Sequence, residues 1–236
     1  MNIRLAAILM FLAPVYVTGQ QKSSTLPANY KTILEDHSFK IIRVHYGPHE
    51  KVLIHDHPDA PTVYVYLNNS GPVRIVHEEA ATPFTLVRPP TQKGAFRVSP
   101  GRLERHSIEN LSDLESDFLR VELLNLRLGD RTLEFRGRAP DDSSHNLSAT
   151  EFSSPRLSVT RTICVDSSPC TVAPSPMSSV IVAISPAIIT TNGRQATLHL
   201  GEVMAVAAQQ SFKFAPAGAE SAHILQILVR TSSAKP

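Results

Sequence analysis

Short apolar and β-branched runs recur along this chain between turn signals, and no stretch keeps the apolar period of an amphipathic helix. The runs fall at 39–44, 51–54, 63–67, 73–77, 84–87, 96–98 and 118–128, and a second series at 157–165, 180–184, 187–191, 196–200, 203–207, 212–214 and 223–229. Gly47-Pro48, Pro58 to Pro61, Asn68 to Pro72, Pro89-Pro90 and Pro100-Gly101 punctuate the first series with residues that reverse an extended chain. Closely spaced strands without intervening helices specify an all-β barrel or sandwich, and two series specify two of them. Thr62 to Leu67 is similar to Ser179 to Ile184, and Phe118 to Leu123 to Ile224 to Val229, displaced by 117 and 106 residues. A duplication with one shortened loop accounts for both offsets.

At 236 residues and 42% hydrophobic, the chain can bury a real core in one or two domains. Its 23 Lys+Arg against 21 Asp+Glu leave a net charge of +2, which excludes the electrostatic footprint of a nucleic-acid binder and a polybasic membrane patch. Arg4, the apolar run Leu5 to Ala13 and the small-residue pattern Val17-Thr18-Gly19 read as a signal peptide over 1–19, cleaved after Gly19. The mature chain is then expected to be secreted or periplasmic, with no membrane attachment. In that setting Cys164 and Cys170, the only two cysteines, are expected to close a small disulfide loop. The charge-rich, then Ser-rich segment 131–155 reads as a linker, with room for a short helical turn, between a unit at 30–130 and a unit at 156–232.

Polar chemistry gathers in the first unit. Seven of the ten histidines (His37, His45, His49, His55, His57, His77 and His106) lie there. Strand alternation puts His55 and His57 of His55-Asp56-His57 on one face, with Thr62 and Tyr64 expected to face the same interior. His49 reads as an exposed loop residue, and His199 and His223 of the second unit as core or edge histidines of apolar strands.

These residues resemble the two motifs of the cupin superfamily. Its first motif runs Gly, five residues, His-x-His, three or four residues, Glu, six residues, Gly. This chain has His55-Asp56-His57 with Gly71 downstream, but His49 stands at the first Gly and Thr62 in the Glu slot. Its second motif, Gly, five residues, Pro-x-Gly, two residues, His, three residues, Asn, is similar to Gly94, Pro100-Gly101, His106 and Asn110. The resemblance implies two tandem jelly-roll (double-stranded β-helix) barrels, with the C-terminal one lacking ligands and covering an exposed edge of the first. It also implies that His55, His57 and His106 converge on one divalent transition metal (Fe, Mn, Zn, Ni or Cu), as in the three-His site of the thiol dioxygenases. Glu104 shares the face of His106, and Glu104 or Tyr64 is the candidate acid/base. Two function classes follow. One is a metal-dependent oxygenase, isomerase or lyase acting on a small molecule. The other is a non-enzymatic protein holding a metal or a sugar-like ligand, and a homodimer is compatible with either.

Overall fold

The structure is a computed structural model that describes residues 26–129, 133–140, 144–165 and 168–230; the expected signal peptide lies outside the described residues. The first series forms β1 (Tyr30–Glu35), β2 (Phe39–Tyr46), β3 (Lys51–His57), β4 (Thr62–Tyr66), β5 (Val73–His77), β6 (Phe84–Arg88), β7 (Phe96–Ser99), β8 (Glu104–Asn110) and β9 (Ser116–Leu123). After β10 (Phe135–Gly137) the second series forms β11 (Leu147–Ser153), β12 (Leu157–Cys164), β13 (Cys170–Val172), β14 (Ser178–Ala183), β15 (Ala187–Thr191), β16 (Arg194–Leu198), β17 (Val203–Val206), β18 (Phe212–Pro216) and β19 (Ala222–Val229). Among the described residues there is no helix.

The first barrel consists of the sheets β1-β2-β9-β4-β7-β10 and β3-β8-β5-β6, the second of β11-β12-β19-β14-β17 and β13-β18-β15-β16. Each strand of the second barrel occupies the sheet position of the strand ten earlier, so the two jelly rolls repeat one topology. The shortening is spread over several loops rather than one: 184–186, 192–193 and 199–202 replace 67–72, 78–83 and 89–95. Asn192 and Gly193 supply the positive φ values (49° and 74°) that a two-residue hairpin needs.

Two expectations need correction. Segment 131–155 is not a bare linker: β10 adds to β7, and β11 adds to β12. Its Ser/Thr content, read as flexibility, faces like residues across the β11–β12 ladder, with Thr150 and Thr160 hydroxyls 3.1 Å apart. The second barrel does not cap a sheet edge of the first. It packs face to face on it, through Val63, Val65 and Val121 from one side and Val159, Val180 and Ile227 from the other. This is why β4 is buried at every residue. Its odd-numbered side chains enter the inter-barrel core, while Thr62, Tyr64 and Tyr66 face the barrel interior.

The run expected at 118–128 stops at Leu123, because Asn125 turns the chain with φ of 56°. Cys164 and Cys170 form the expected disulfide, with Cα atoms 5.9 Å apart, tying the three-residue β13 to the end of β12. Among the described residues no helix is long and apolar enough to cross a membrane.

Candidate metal centre

β3 reaches the interior with both histidines only because its register slips. Val52 pairs with Ile108, but His55 pairs with His106, so one extra residue is accommodated between them. Leu53 and Ile54 bulge outward, 82% and 37% exposed, and the alternation restarts with His55 and His57 pointing in. Without that bulge, the inward phase of Val52 would carry Ile54 and Asp56 to the interior instead. Asp56 instead lies outside, paired with Arg105.

β8 is delivered by the Pro100-Gly101 turn. Gly101 has φ of +86°, and a Cβ there would stand 2.5 Å from the backbone of Ala60 and Pro61, so the turn can seat itself against the entry to β4 only with glycine. His106 then lies between His55 of β3 and His77 of β5 in the ladder. Asn110 ends the strand and donates to the carbonyls of Gly47 and Leu114.

Three imidazoles meet. His55, His57 and His106 have ring centroids 4.8 to 5.1 Å apart, and each offers a nitrogen within 4.8 Å of the others. All three are buried. His55 donates Nδ1–H to the Leu53 carbonyl at 2.8 Å, a bulge carbonyl, which leaves Nε2 as the lone-pair nitrogen. That Nε2, both nitrogens of His57 and Nδ1 of His106 are buried without a hydrogen-bond partner. Burial is the main cause that holds the His57 imidazole down to about 4 and His106 to about 2, and it also lowers His55. All three are therefore neutral at physiological pH, the form that ligates.

Depressed histidine pKa values destabilise the fold in acid, because the unfolded chain takes protons near pH 6.5 that the folded protein refuses. Metal-free protein is thus expected to keep its full stability above pH 6.5 and to lose on the order of 1 kcal/mol per pH unit for each such histidine as pH falls toward 4. Urea midpoints measured between pH 7 and 4 check this; a flat profile would contradict it.

Beside the imidazoles lies a polar layer in which Glu104 and Tyr64, placed inward by strand alternation, meet Arg120 and Glu122, which the alternation did not single out. Arg120, fully buried on β9, donates from Nη1 to Glu104 Oε2 and to the Tyr64 hydroxyl, and from Nε to Glu122 Oε1, each at 2.9 Å. Glu122 lies opposite Thr62 in the β4–β9 ladder, and its Oε1 is 3.8 Å from His57 Nδ1. A carboxylate therefore stands one strand away from the slot that Thr62 fills. Thr62 itself turns its hydroxyl to the Ala60 carbonyl. Burial pushes the Glu104 carboxyl up, but the charge and hydrogen bond of Arg120 together with the neighbouring His106 and His57 bring the group down to about 2. Glu104 and Tyr64 are both buried next to the triad, committed to Arg120 and outside the three-imidazole cluster.

Tyr30 and His77 also escaped notice in the sequence. The Tyr30 ring packs tilted against His55, centroids 4.6 Å apart, and its hydroxyl lies 2.6 Å from that of Tyr46. His77 is buried with both nitrogens unpaired, its ring 4.7 Å from Phe84 in parallel; Glu79 Oε1 lies 2.8 Å from Nδ1 but off the hydrogen-bond direction. Only the β5–β8 ladder brings His77 to His106.

Two of the three, His57 and His106, open on a cavity of about 80 Å³, with His77, Glu104 and Arg120 beside them and Val73, Ile75, Ile108 and Phe118 also in its wall. When β5 and β15 are aligned on their first residues, Val172, Pro174 and Phe212 take the places of His55, His57 and His106. The second interior is filled by apolar side chains, Phe212, Phe214 and Ile224 among them. His223 lies on the other face of β19, toward Gly94 of the first barrel, and accepts from Arg161 at 2.7 Å; His199 is exposed in the turn after β16. His49 is exposed in its loop beside Asp113.

No protein-family profile matches the chain, and no curated relative is detected by sequence. Solved structures do match. AerE from Microcystis aeruginosa is 13% identical with a TM-score of 0.59, covering 85% of this chain and 97% of that one. A cupin 2 conserved barrel domain protein from Leptotrichia buccalis is 14% identical with a TM-score of 0.51, covering 91% and 92%. The fold is that of a bicupin. Oxalate decarboxylase from Bacillus subtilis agrees, at 13% identity and a TM-score of 0.56 over 83% of this chain and 69% of that one. In this bicupin fold the buried imidazole and carboxylate cluster lies in the first barrel, while Thr162, Ser179 and Gln226, buried on the inner face of the second, are neutral.

Proposed function

We propose that this chain is a metal-dependent enzyme that acts on a small molecule in its first barrel, with His55, His57 and His106 as the ligands of one divalent transition metal. The observation that supports it most is the set of unpaired buried nitrogens within 4.8 Å of one another, with His57 and His106 also lining the cavity. Each such group costs about 1–3 kcal/mol when it is left unsatisfied, and a cation shared among them removes the cost. Three imidazoles suit Fe, Mn, Zn, Ni or Cu and leave coordination positions open to the cavity, as catalytic rather than structural sites do.

A metal held there supplies Lewis-acid or dioxygen chemistry. The chain's own groups orient and exclude. The Leu53 carbonyl fixes the His55 tautomer, Tyr30 packs against the His55 and His57 rings, and Arg120 holds Glu104 and Tyr64 in place. Among oxygenase, isomerase and lyase chemistry, oxygenation asks least for a proton donor. Glu104, ion-paired to Arg120 at 2.9 Å, is a poor donor, which favours that class. The disulfide supports an extracytoplasmic setting for this activity.

Elemental analysis of the purified protein followed by an oxygen-electrode screen with small organic substrates tests the proposal. The expected result is about one transition metal per chain and dioxygen uptake that depends on substrate. Metal at stoichiometry without turnover would turn the site into a non-catalytic ligand holder. Absence of metal after reconstitution would overturn both.

A further inference from the structure

Four arginines line the cavity, and they are not equivalent. Arg120 is neutralised by Glu104 and Glu122, Arg97 by Glu134, and Arg102 lies 3.6 Å from Glu104. Arg88 has no carboxylate within ion-pair distance among the described residues. Its guanidinium is half-buried, 5.3 Å from the Tyr66 ring centroid and 5.9 Å from that of Phe118, and it donates only to hydroxyls, to Ser116 at 3.0 Å, Ser70 at 3.3 Å and Thr91 at 3.5 Å. A cation drawn out of water and given only neutral partners is incompletely compensated.

Its position is equally specific. Arg88 is opposite Val73 in the β5–β6 ladder, while His77, at the other end of β5, is opposite His106. The four residue steps from Val73 to His77 span about 13 Å of extended chain. The apolar wall of Val73, Ile75, Ile108 and Phe118 therefore lies between the imidazoles and Arg88.

We propose that the cavity takes an amphipathic monocarboxylate, its acid group held by the Arg88 guanidinium and its apolar body directed along this wall toward the three histidines. One planar fork with an apolar surround fits a carboxylate; a phosphate would call for several converging donors. This names the substrate class of the site proposed above and rests on that reading only in taking this cavity as the place of binding.

Calorimetric titration with hexanoate and with hexanamide, its neutral analogue, tests the assignment on metal-loaded and on chelator-treated protein. Hexanoate is expected to bind at least about tenfold more tightly than hexanamide in both forms. Arg88→Gln should lose about tenfold or more for hexanoate and nothing for hexanamide, and Arg88→Lys, which keeps the charge without the fork, should retain only part of the preference. Thermal melts establish that both variants fold. Equal affinities for acid and amide, no hexanoate binding in either form, or a preference untouched by Arg88→Gln would overturn the proposal. A preference that vanishes on chelation would assign the acid to the metal instead, leaving the metal reading intact. A preference persisting in protein that never takes up metal would sink the metal reading and leave this one.

Discussion

Replacing His106 with Ala is expected to lower bound metal from about one per chain to under about a tenth, with the β-sheet circular dichroism preserved. His55→Ala and His57→Ala should do the same. The three nitrogens lie within 4.8 Å of one another, and two imidazoles cannot hold a labile divalent ion against dilution. Truncation leaves the barrel standing, because His106 carries no hydrogen bond at Nδ1 that the fold would lose. His199→Ala, on an exposed turn of the second barrel, is the control and should leave metal content unchanged. Undiminished metal in the three single variants would refute the site.

The largest stability effect is expected from Arg120→Met, about 3–5 kcal/mol in urea denaturation at pH 8. Arg120 is the buried counter-charge of both Glu104 and Glu122, and its removal leaves two carboxylates inside the barrel without a cation. Those carboxylates then gain protons more easily, so the deficit should shrink as pH is lowered toward 5. The triple variant Arg120→Met/Glu104→Gln/Glu122→Gln should recover most of the loss, since it removes the stranded charges rather than one partner. A single variant within about 1 kcal/mol of wild type would show that the trio is not electrostatically coupled.

Strand runs and turn residues made most of the fold legible because side-chain burial in a jelly roll follows local patterning. β5 and β15 fell where their apolar runs predicted them. β11 did not, because its alternation is carried by Ser and Thr at a sheet edge, where composition alone cannot tell a ladder from a linker. The face-to-face packing of the barrels was hidden for a related reason. The buried run Val63 to Val65 reads the same whether its outer face meets an edge-capping segment or a second sheet.

What the sequence determined by itself is local. His55-Asp56-His57, Pro100-Gly101 and His106 specify strand, turn and strand, and the strand order in each half specifies a repeated all-β unit. Only the tertiary structure decided which side chains share the interior. The bulge between Val52 and His55 sets the phase that turns both histidines inward, and ladder pairing places His77 and Glu122 beside them from strands about 20 residues or more away in sequence. Arg120 and Glu122 alternate with Leu119, Val121 and Leu123, a pattern that in an isolated sheet means one wet face. Here the second barrel covers the apolar face, so the polar residues line a closed interior, where low dielectric makes each unpaired charge and each lone pair consequential.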